Sequence, residues 1–250
     1  MIAPKKPALT ALDVVLLLVT AGFLAYVGYR LFFALNYKWN WGVIATYLVR
    51  CDEATQRYTT NVLLQGLVTT VKLSLWGTVL AALFGLLVGL MRLSPSLLLR
   101  LLGRAYVEAI RNTPPLVLVF IFYYFVSDRL LGALGVEDLE RSSGEAMRGL
   151  LTLLFAEARL VVPFLSGVLT LALFQGAYIA EIVRAGIEAV HRGQWEAGRA
   201  LGLSERQLLH RVVMPQATRI MLPPLANEFI NTIKWSSIVS IISIQELTFQ

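Results

Sequence analysis

Charge and cysteine are scarce in this sequence. Charged residues account for 15% of its 250 positions, and Cys51 is the only cysteine. A single cysteine excludes an internal disulfide and a cysteine-rich metal site. His191 and His210 lack the spacing of metal ligands, and the Gly-x4-Gly-Lys-Ser/Thr pattern of a nucleotide-binding loop is missing. We therefore expect the chain to bind neither a metal nor ATP by that route, and without a cluster of catalytic side chains we expect no enzyme.

Apolar residues, in contrast, make up 57% of the chain, and its mean hydropathy is +0.67. A soluble core of this size does not need so much apolar material, so we predict an integral membrane protein of the all-α class. Five stretches are predicted to be helices that cross a hydrocarbon core of ~30 Å. They are residues 11–35, residues 62–91, a span that opens at 114–125, residues 163–183 and residues 222–244.

Two features of these spans bear on packing and orientation. The second span carries small residues at helix-face spacing, which favour close helix contacts in lipid: Gly77, Ala81, Ala82, Gly85 and Gly89. With the N-terminus inside, the inner segments hold 12 Lys and Arg and the outer loops hold 7. The excess of positive charge inside predicts a cytoplasmic N-terminus, a basic inner loop at residues 92–112 and an acidic outer insert at 127–162, in which residues 150–155 lie at the surface.

Polar side chains gather in the last two spans. Three on the last span are four and three residues apart, and therefore share one helix face: Asn227, Asn231 and Lys234. Three more lie in the cytoplasmic half of the preceding span: Gln175, Tyr178 and Glu181. Because polar groups in lipid are costly unless they face the bundle or water, we interpret the set as a path for a zwitterion. Contact between helices explains Asn227 or Asn231 alone equally well.

Residues 194–215 are the longest stretch in the second half of the chain that cannot lie in lipid. Residues 195–201 favour a short helix, and Gly202 can adopt the left-handed conformation that closes it. Ser204 and Gln207 predict a capping box at the start of a second helix. The expected product is a compact helix-turn-helix, which we call the hairpin.

Two positions of the hairpin carry further expectations. Glu196 is expected in the first turn of the first helix, where a carboxylate favours the positive end of the dipole, and can pair with Arg192 or Arg199. Pro215 is expected to end the second helix, because proline disfavours the helical conformation of Met214.

The hairpin has three interpretations. A DNA-binding helix-turn-helix requires a soluble basic domain, whereas a hydrophobic span lies on each side here. A structural loop needs no partner at all. The third interpretation comes from a resemblance.

The hairpin resembles the Glu-Ala-Ala loop of ABC-importer permeases. The matching pattern is Glu196-Ala197-Gly198, three residues, Gly202, nine residues and the Val-Val-Met-Pro segment that ends at Pro215; the family usually has alanine at the position of Gly198. The resemblance implies a coupling helix that docks into a groove on a cytoplasmic ATPase subunit. It assigns this role to Glu196, Ala197, Gly198, Arg199, Ala200, Gly202, Leu203 and Pro215.

Other segments resemble the polar-amino-acid branch of these permeases. Residues 111–114 (RNTP) are similar to its Arg-Gly-Thr-Pro signature, and residues 176–187 (GAYIAEIVRAGI) closely resemble the same branch. At residues 234–237 (KWSS), Trp235 replaces a residue that is usually polar in the family.

The resemblance implies the membrane permease subunit of an amino-acid importer with a type I ABC-importer-like helix bundle. Its expected partners are a second permease, identical or related, two cytoplasmic ATPase subunits that hold ATP and Mg, and an extracytoplasmic solute-binding protein. The chain itself is expected to bind no cofactor and no nucleic acid, and to lie in the bacterial inner membrane. A secondary transporter or channel for small polar solutes is the alternative.

The resemblance also predicts a division of the chain. Residues 1–61 are expected to be an additional N-terminal helix with an outer loop. Residues 62–250 are expected to form the permease domain, with a cytoplasmic coupling loop at 184–220. Permeases of this branch continue into one more span, which is expected to be missing after Gln250.

Overall fold

The computed structural model describes residues 10–34, 40–52, 57–133, 135, 144–157, 160–242 and 244–249. The chain divides into two compact units, residues 1–46 and residues 47–250. The first unit contains α1 (Ala11–Tyr29), which continues as a π-helical segment over Arg30–Ala34. A capping box between Thr10 and Asp13 begins α1 and satisfies two backbone N–H groups that the helix leaves without partners.

The second unit is built mainly from helices. After α2 (Val43–Leu48), the chain forms two short strands, β1 (Val49–Asp52) and β2 (Arg57–Thr60). The two strands are antiparallel, and Val49 pairs with Thr60. The helices that follow are α3 (Val62–Arg92), α4 (Leu97–Arg111), α5 (Pro115–Ile121), α6 (Asp128–Ala133), α7 (Glu145–Leu154), α8 (Val161–Glu188), α9 (Arg192–Ala200), α10 (Glu205–Leu208) and α11 (Met214–Trp235).

Four helical segments within the described residues are long and apolar enough to cross a membrane. They are Ala11–Phe33, Val62–Arg92, Pro115–Ala133 and Val161–Glu188. The third span is longer than residues 114–125, where the sequence predicted that it opens, because a π-helical segment, Phe122–Ser127, joins α5 to α6. The acidic insert therefore begins after Ala133 rather than at residue 127. Within it, α7 has no buried residue, as expected for a surface helix.

The expected fifth span has a different character. Its residues form the second part of α11 and a 3-10 helix, Ser236–Ile242, and this stretch does not join the four apolar spans in the described chain. The physical reason is its polarity, because Asn227, Glu228, Asn231 and Lys234 lie within 8 residues of helix. α11 buries Glu228 against its neighbours rather than presenting a uniformly apolar surface.

Residues 92–112 were expected to be a basic loop, but most of them form the helix α4. Gly103, Val107 and Ile110 are buried on its inner face. Apolar residues at this spacing favour a helix, although the arginines suggested a loop. Arg104 pairs with Glu108 one turn later at 2.7 Å, which also favours a helix.

α8 is the centre of the second unit and contacts α3 along most of its length. The predicted small face of α3 mediates this contact: Gly77, Ala81, Gly85 and Gly89 are buried, while Ala82 is half-buried. A Cβ atom added at Gly85 would lie 2.7 Å from the Cβ of Ile179, and one at Gly89 would lie 2.8 Å from the Cβ of Val183. The glycines thus permit the two helices to approach more closely than any larger residue would allow.

This contact predicts the effect of Gly85→Ala. The added methyl group would also lie 2.9 Å from the backbone oxygen of Gly176, which cannot rotate away, so α3 and α8 must separate. We expect a loss of about 1–3 kcal/mol in the free energy of unfolding, measured by thermal unfolding in detergent. The matched control is Gly22→Ala in α1, where nothing lies within 4 Å of the added Cβ. Equal effects at both positions would contradict the packing role of Gly85.

Candidate functional site

The turn of the hairpin and the caps beside it form as the sequence predicts. α9 begins where the His191 side chain accepts a hydrogen bond from the Gly193 amide, and it ends before Gly202, whose φ of +76° is the left-handed conformation. Ser204 and Gln207 form the predicted capping box at the start of α10, with distances of 3.0 and 3.4 Å. Each helix end therefore has partners for backbone groups that would otherwise be unsatisfied.

Gly198 allows the two helices of the hairpin to touch. It is the buried residue of α9, and a Cβ atom there would overlap the Cδ1 atom of Leu208 on α10. The Leu208 side chain is fully buried. It packs in one cluster with Val183 of α8, with Val213 and with Ala217 of α11. The hairpin is thus tied to the helix bundle by an apolar contact.

Charged side chains brace the outer side of the hairpin. The Arg199 guanidinium donates to the Glu205 carboxylate at 2.8 and 3.3 Å and lies 5.9 Å from the centre of the Trp195 ring. The hydrogen bond with Arg199 lowers the pKa of Glu205, and the same bond raises the pKa of Arg199. This pair spans the turn between α9 and α10.

Glu196 occupies a different place from the expected one. α9 begins at Arg192, so Glu196 lies in its second turn rather than the first, and Arg199 is engaged by Glu205. Extension of the helix by three residues at its start explains the difference, because the His191 cap precedes it. The Glu196 side chain is exposed, and its nearby carboxylate still contributes to the raised pKa of Arg199.

The expected end of the second helix at Pro215 is wrong. Met214 has helical dihedral angles of −59° and −41°, and Pro215 lies in the first turn of α11. Proline is well tolerated in a first turn, where its missing N–H is one that the helix would leave without a partner. A π-helical segment, Leu209–Val213, connects α10 to this turn, so the chain stays helical throughout.

The hairpin presents a small-residue surface with one large apolar tip. Six of the predicted coupling residues are exposed, Leu203 is half-buried and Gly198 is buried. The exposed ones are Glu196, Ala197, Arg199, Ala200, Gly202 and Pro215. Sequence reasoning missed Leu201, which is 80% exposed at the turn. A leucine immediately before the glycine that closes a helix was the available signal, since the C-terminal residue of a short surface helix has little to pack against.

Gln175 lies where the predicted path residues of α8 and α11 meet. Its side chain is fully buried, and its amide nitrogen donates to the Thr232 hydroxyl at 3.0 Å. Its amide oxygen has no hydrogen-bond partner in the described structure. On α11, Asn231 is half-buried and donates to the Glu228 carboxylate at 3.3 Å, whereas Asn227 and Lys234 are exposed.

Glu228 and Thr232 are further polar residues of this region that sequence reasoning left out. Glu228 is 7% exposed and Thr232 is fully buried. Both lie on the side of α11 that contacts α8 and not on the stripe of Asn227 and Lys234. A search for polar residues at the spacing of that stripe therefore does not find them. The signal was the spacing of four residues between Glu228 and Thr232, which places both on one face.

Tyr178 and Glu181 point away from this polar group. The ring of Tyr178 lies 5.6 Å from the Arg111 guanidinium, and Glu181 forms ion pairs with Arg92 and Arg184. The structure therefore brings Gln175 to α11 and the other two side chains of α8 to the ends of α3 and α4. No group of three or more potential metal ligands occurs among the described residues.

Residues 81–250 match the family model described as the inner membrane component of binding-protein-dependent transport systems. The chain belongs to this family. The family's members are membrane components of transport systems. The match covers α8, the hairpin and α11, and thus the whole candidate site.

Several transport permeases are similar to the chain. It is 34% identical to the probable glutamine ABC transporter permease GlnM of Bacillus subtilis over 66% of the chain and 64% of that protein. It is 36% identical to the L-cystine permease TcyB of the same organism, over 73% of the chain and 66% of that protein. The glutamate/aspartate import permease GltJ of Escherichia coli is 31% identical, with 86% and 80% covered. The chain spans less than two thirds of the first two proteins.

A solved structure is also similar. It is described as an amino acid ABC transporter crystallised with histidines, and it is 31% identical, with a TM-score of 0.62 over 86% of this chain and 81% of that one. This similarity agrees with the expected type I importer-like bundle of helices.

Proposed function

We propose that the chain is the membrane permease subunit of an ATP-driven importer of amino acids. The observation that carries the proposal is the hairpin, a pair of short helices with an exposed small-residue surface that is joined by apolar packing to the central helix α8. An exposed, internally braced element of this kind suits docking on a second protein better than a solvated loop does. Membership of a family of transport-system membrane components supports the same function.

In this proposal, ATP is bound and hydrolysed on two cytoplasmic ATPase subunits. Each contacts the hairpin of one permease subunit, and the second permease is a copy of this chain or a related one. Leu201 supplies an apolar anchor at the turn, while Glu196 offers an exposed carboxylate to a partner. An extracytoplasmic solute-binding protein delivers the substrate, and the N-terminus of the chain faces the cytoplasm.

The substrate class rests on two kinds of support. The relatives named above are described as permeases for glutamine, cystine, or glutamate and aspartate. In the chain itself, Glu228 is a buried carboxylate, and among the described residues the ion pairs include no cationic partner for it. A charge in a membrane helix costs about 2.5–3.5 kcal/mol when it is unpaired. The ammonium group of an amino acid would offset that cost.

The polar residues of α8 and α11 also offer hydrogen-bond partners for both ends of a zwitterion. The unpartnered amide oxygen of Gln175 and the carboxylate of Glu228 are acceptors for an ammonium group, whereas Asn231 and, on the exposed stripe of α11, Lys234 are donors for a carboxylate. Asn227 lies one turn before Asn231 on the same helix. This arrangement supports a path between α8 and α11, while Tyr178 and Glu181 lie outside it.

Replacement of Glu196 tests the coupling role. We expect Glu196→Lys to abolish co-purification of the ATPase subunit in mild detergent and to reduce ATP-driven amino-acid uptake to background, because it reverses the charge on the docking surface. The matched control is Glu145→Lys on α7, an exposed carboxylate outside the hairpin, which should leave both readouts unchanged. Uptake that is abolished by collapse of the membrane potential while ATP is maintained would instead favour a secondary transporter or channel.

Replacement of Glu228 tests the path. Loss of a charge-assisted hydrogen bond of about 1.5–3 kcal/mol corresponds to a rise of about 10- to 100-fold in the KM for uptake. We expect Glu228→Gln to show this rise and to retain the ATPase subunits. Glu188→Gln at the end of α8, where the carboxylate is half exposed and paired with Arg184, is the control. An unchanged KM in Glu228→Gln would contradict an ammonium contact at this position.

A further inference from the structure

Charged side chains from three helices meet at the end of the bundle that leads into the hairpin. Glu181 of α8 forms ion pairs with Arg92, the last residue of α3, and with Arg184 one turn further along α8. Arg111, the last residue of α4, lies 3.9 Å from the same carboxylate. One carboxylate is therefore shared by three guanidinium groups that belong to three different helices.

This cluster is more strongly bound than a typical surface ion pair. The Arg92 side chain is only 14% exposed and Glu181 is 26% exposed, so water screens the pair incompletely. Removal of the carboxylate would also leave the three guanidinium groups close together without the charge that holds them. A cavity of about 400 Å³, which Arg92, Arg111, Asn112 and Glu181 help to line, gives water access to one side.

The position of the cluster along α8 links it to the hairpin. Glu181 precedes Glu188, the end of α8, by 7 residues, or about 10 Å of helix, and α9 begins at Arg192. Over these two turns, Val183 packs on Gly89 of α3, and a Cβ atom at Gly186 would overlap Met221 of α11. The hairpin is therefore connected to the bundle by a stretch of α8 that packs tightly against α3 and α11, and a displacement of the hairpin must move this stretch.

Each oxygen of Glu181 already has a partner. Oε1 accepts hydrogen bonds from the Arg184 guanidinium, including one from its Nε at 3.2 Å, and Oε2 accepts a hydrogen bond from Arg92. The arrangement suits a fixed connection between helices better than contact with a passing solute, which requires a group that is free to exchange partners.

We propose that Glu181 is a positioning residue for coupling. It clamps α8 to the ends of α3 and α4, so that a displacement of the hairpin moves the three helices together instead of bending the last turns of α8. The inference rests on the proposed coupling of the hairpin to an ATPase. It predicts that loss of the clamp uncouples ATP hydrolysis from transport while the hairpin still docks.

The test uses the complete importer reconstituted in liposomes, with the ratio of amino acid transported to ATP hydrolysed as the readout. We expect Glu181→Gln to retain its ATPase subunits and its KM for uptake, and to lower this ratio by about tenfold, within the range of coupling effects between sites. Arg92→Gln leaves Glu181 paired with Arg184 but removes its ion pair with α3, so we expect it to lower the ratio as well. Glu145→Gln, at an exposed carboxylate of α7 outside the cluster, serves as the control.

The outcomes separate this inference from the proposed function. An unchanged ratio in Glu181→Gln, or a raised KM with an unchanged ratio, overturns the clamp. If Glu181→Gln fails to assemble, Arg92→Gln decides, because an assembled Arg92→Gln protein with an unchanged ratio also overturns the clamp. A wild-type chain that retains no ATPase subunit, or shows no ATP-driven uptake, contradicts the proposed function instead.

Discussion

The close approach of α3 and α8 is the constraint on which the rest of the structure depends. Gly85 and Gly89 let the backbones approach until Ile179 and Val183 occupy the space of the missing side chains. Helices in lipid gain nothing from hydrophobic burial against each other, so such packing must supply the attraction. With α8 held in this way, one of its faces meets α11, and its end leads directly into the hairpin.

The polar groups of α8 follow from this placement. Residues 175, 178 and 181 are three apart, so each side chain is turned by about 60° from the previous one. Gln175 consequently faces Thr232 of α11, while Glu181 faces Arg92 of α3. A single helix thus carries the proposed substrate contact on one side and the proposed mechanical link on the other.

Local chemistry was predictable from the sequence where it depends on near neighbours. The φ of Gly202, the capping box of Ser204 and the small face of α3 all follow from residues within a few positions of one another. Pro215 was interpreted wrongly, because the rule for the residue before proline does not say whether a new helix starts there. The partners of Glu181 were beyond reach, since the sequence separates Arg92 from it by 89 residues and no local pattern joins them.

The central claim is that the hairpin contacts an ATPase subunit, and site-specific crosslinking tests it most directly. Cys51 is the only cysteine, so Cys51→Ser provides a background in which Ala200→Cys introduces a single thiol on the exposed side of α9 and keeps Glu196. Treatment of the assembled complex with a short thiol-to-amine crosslinker should join this position to an ATPase subunit, and addition of ATP should change the yield. A thiol that reacts readily with a small maleimide but forms no such adduct would contradict the claim.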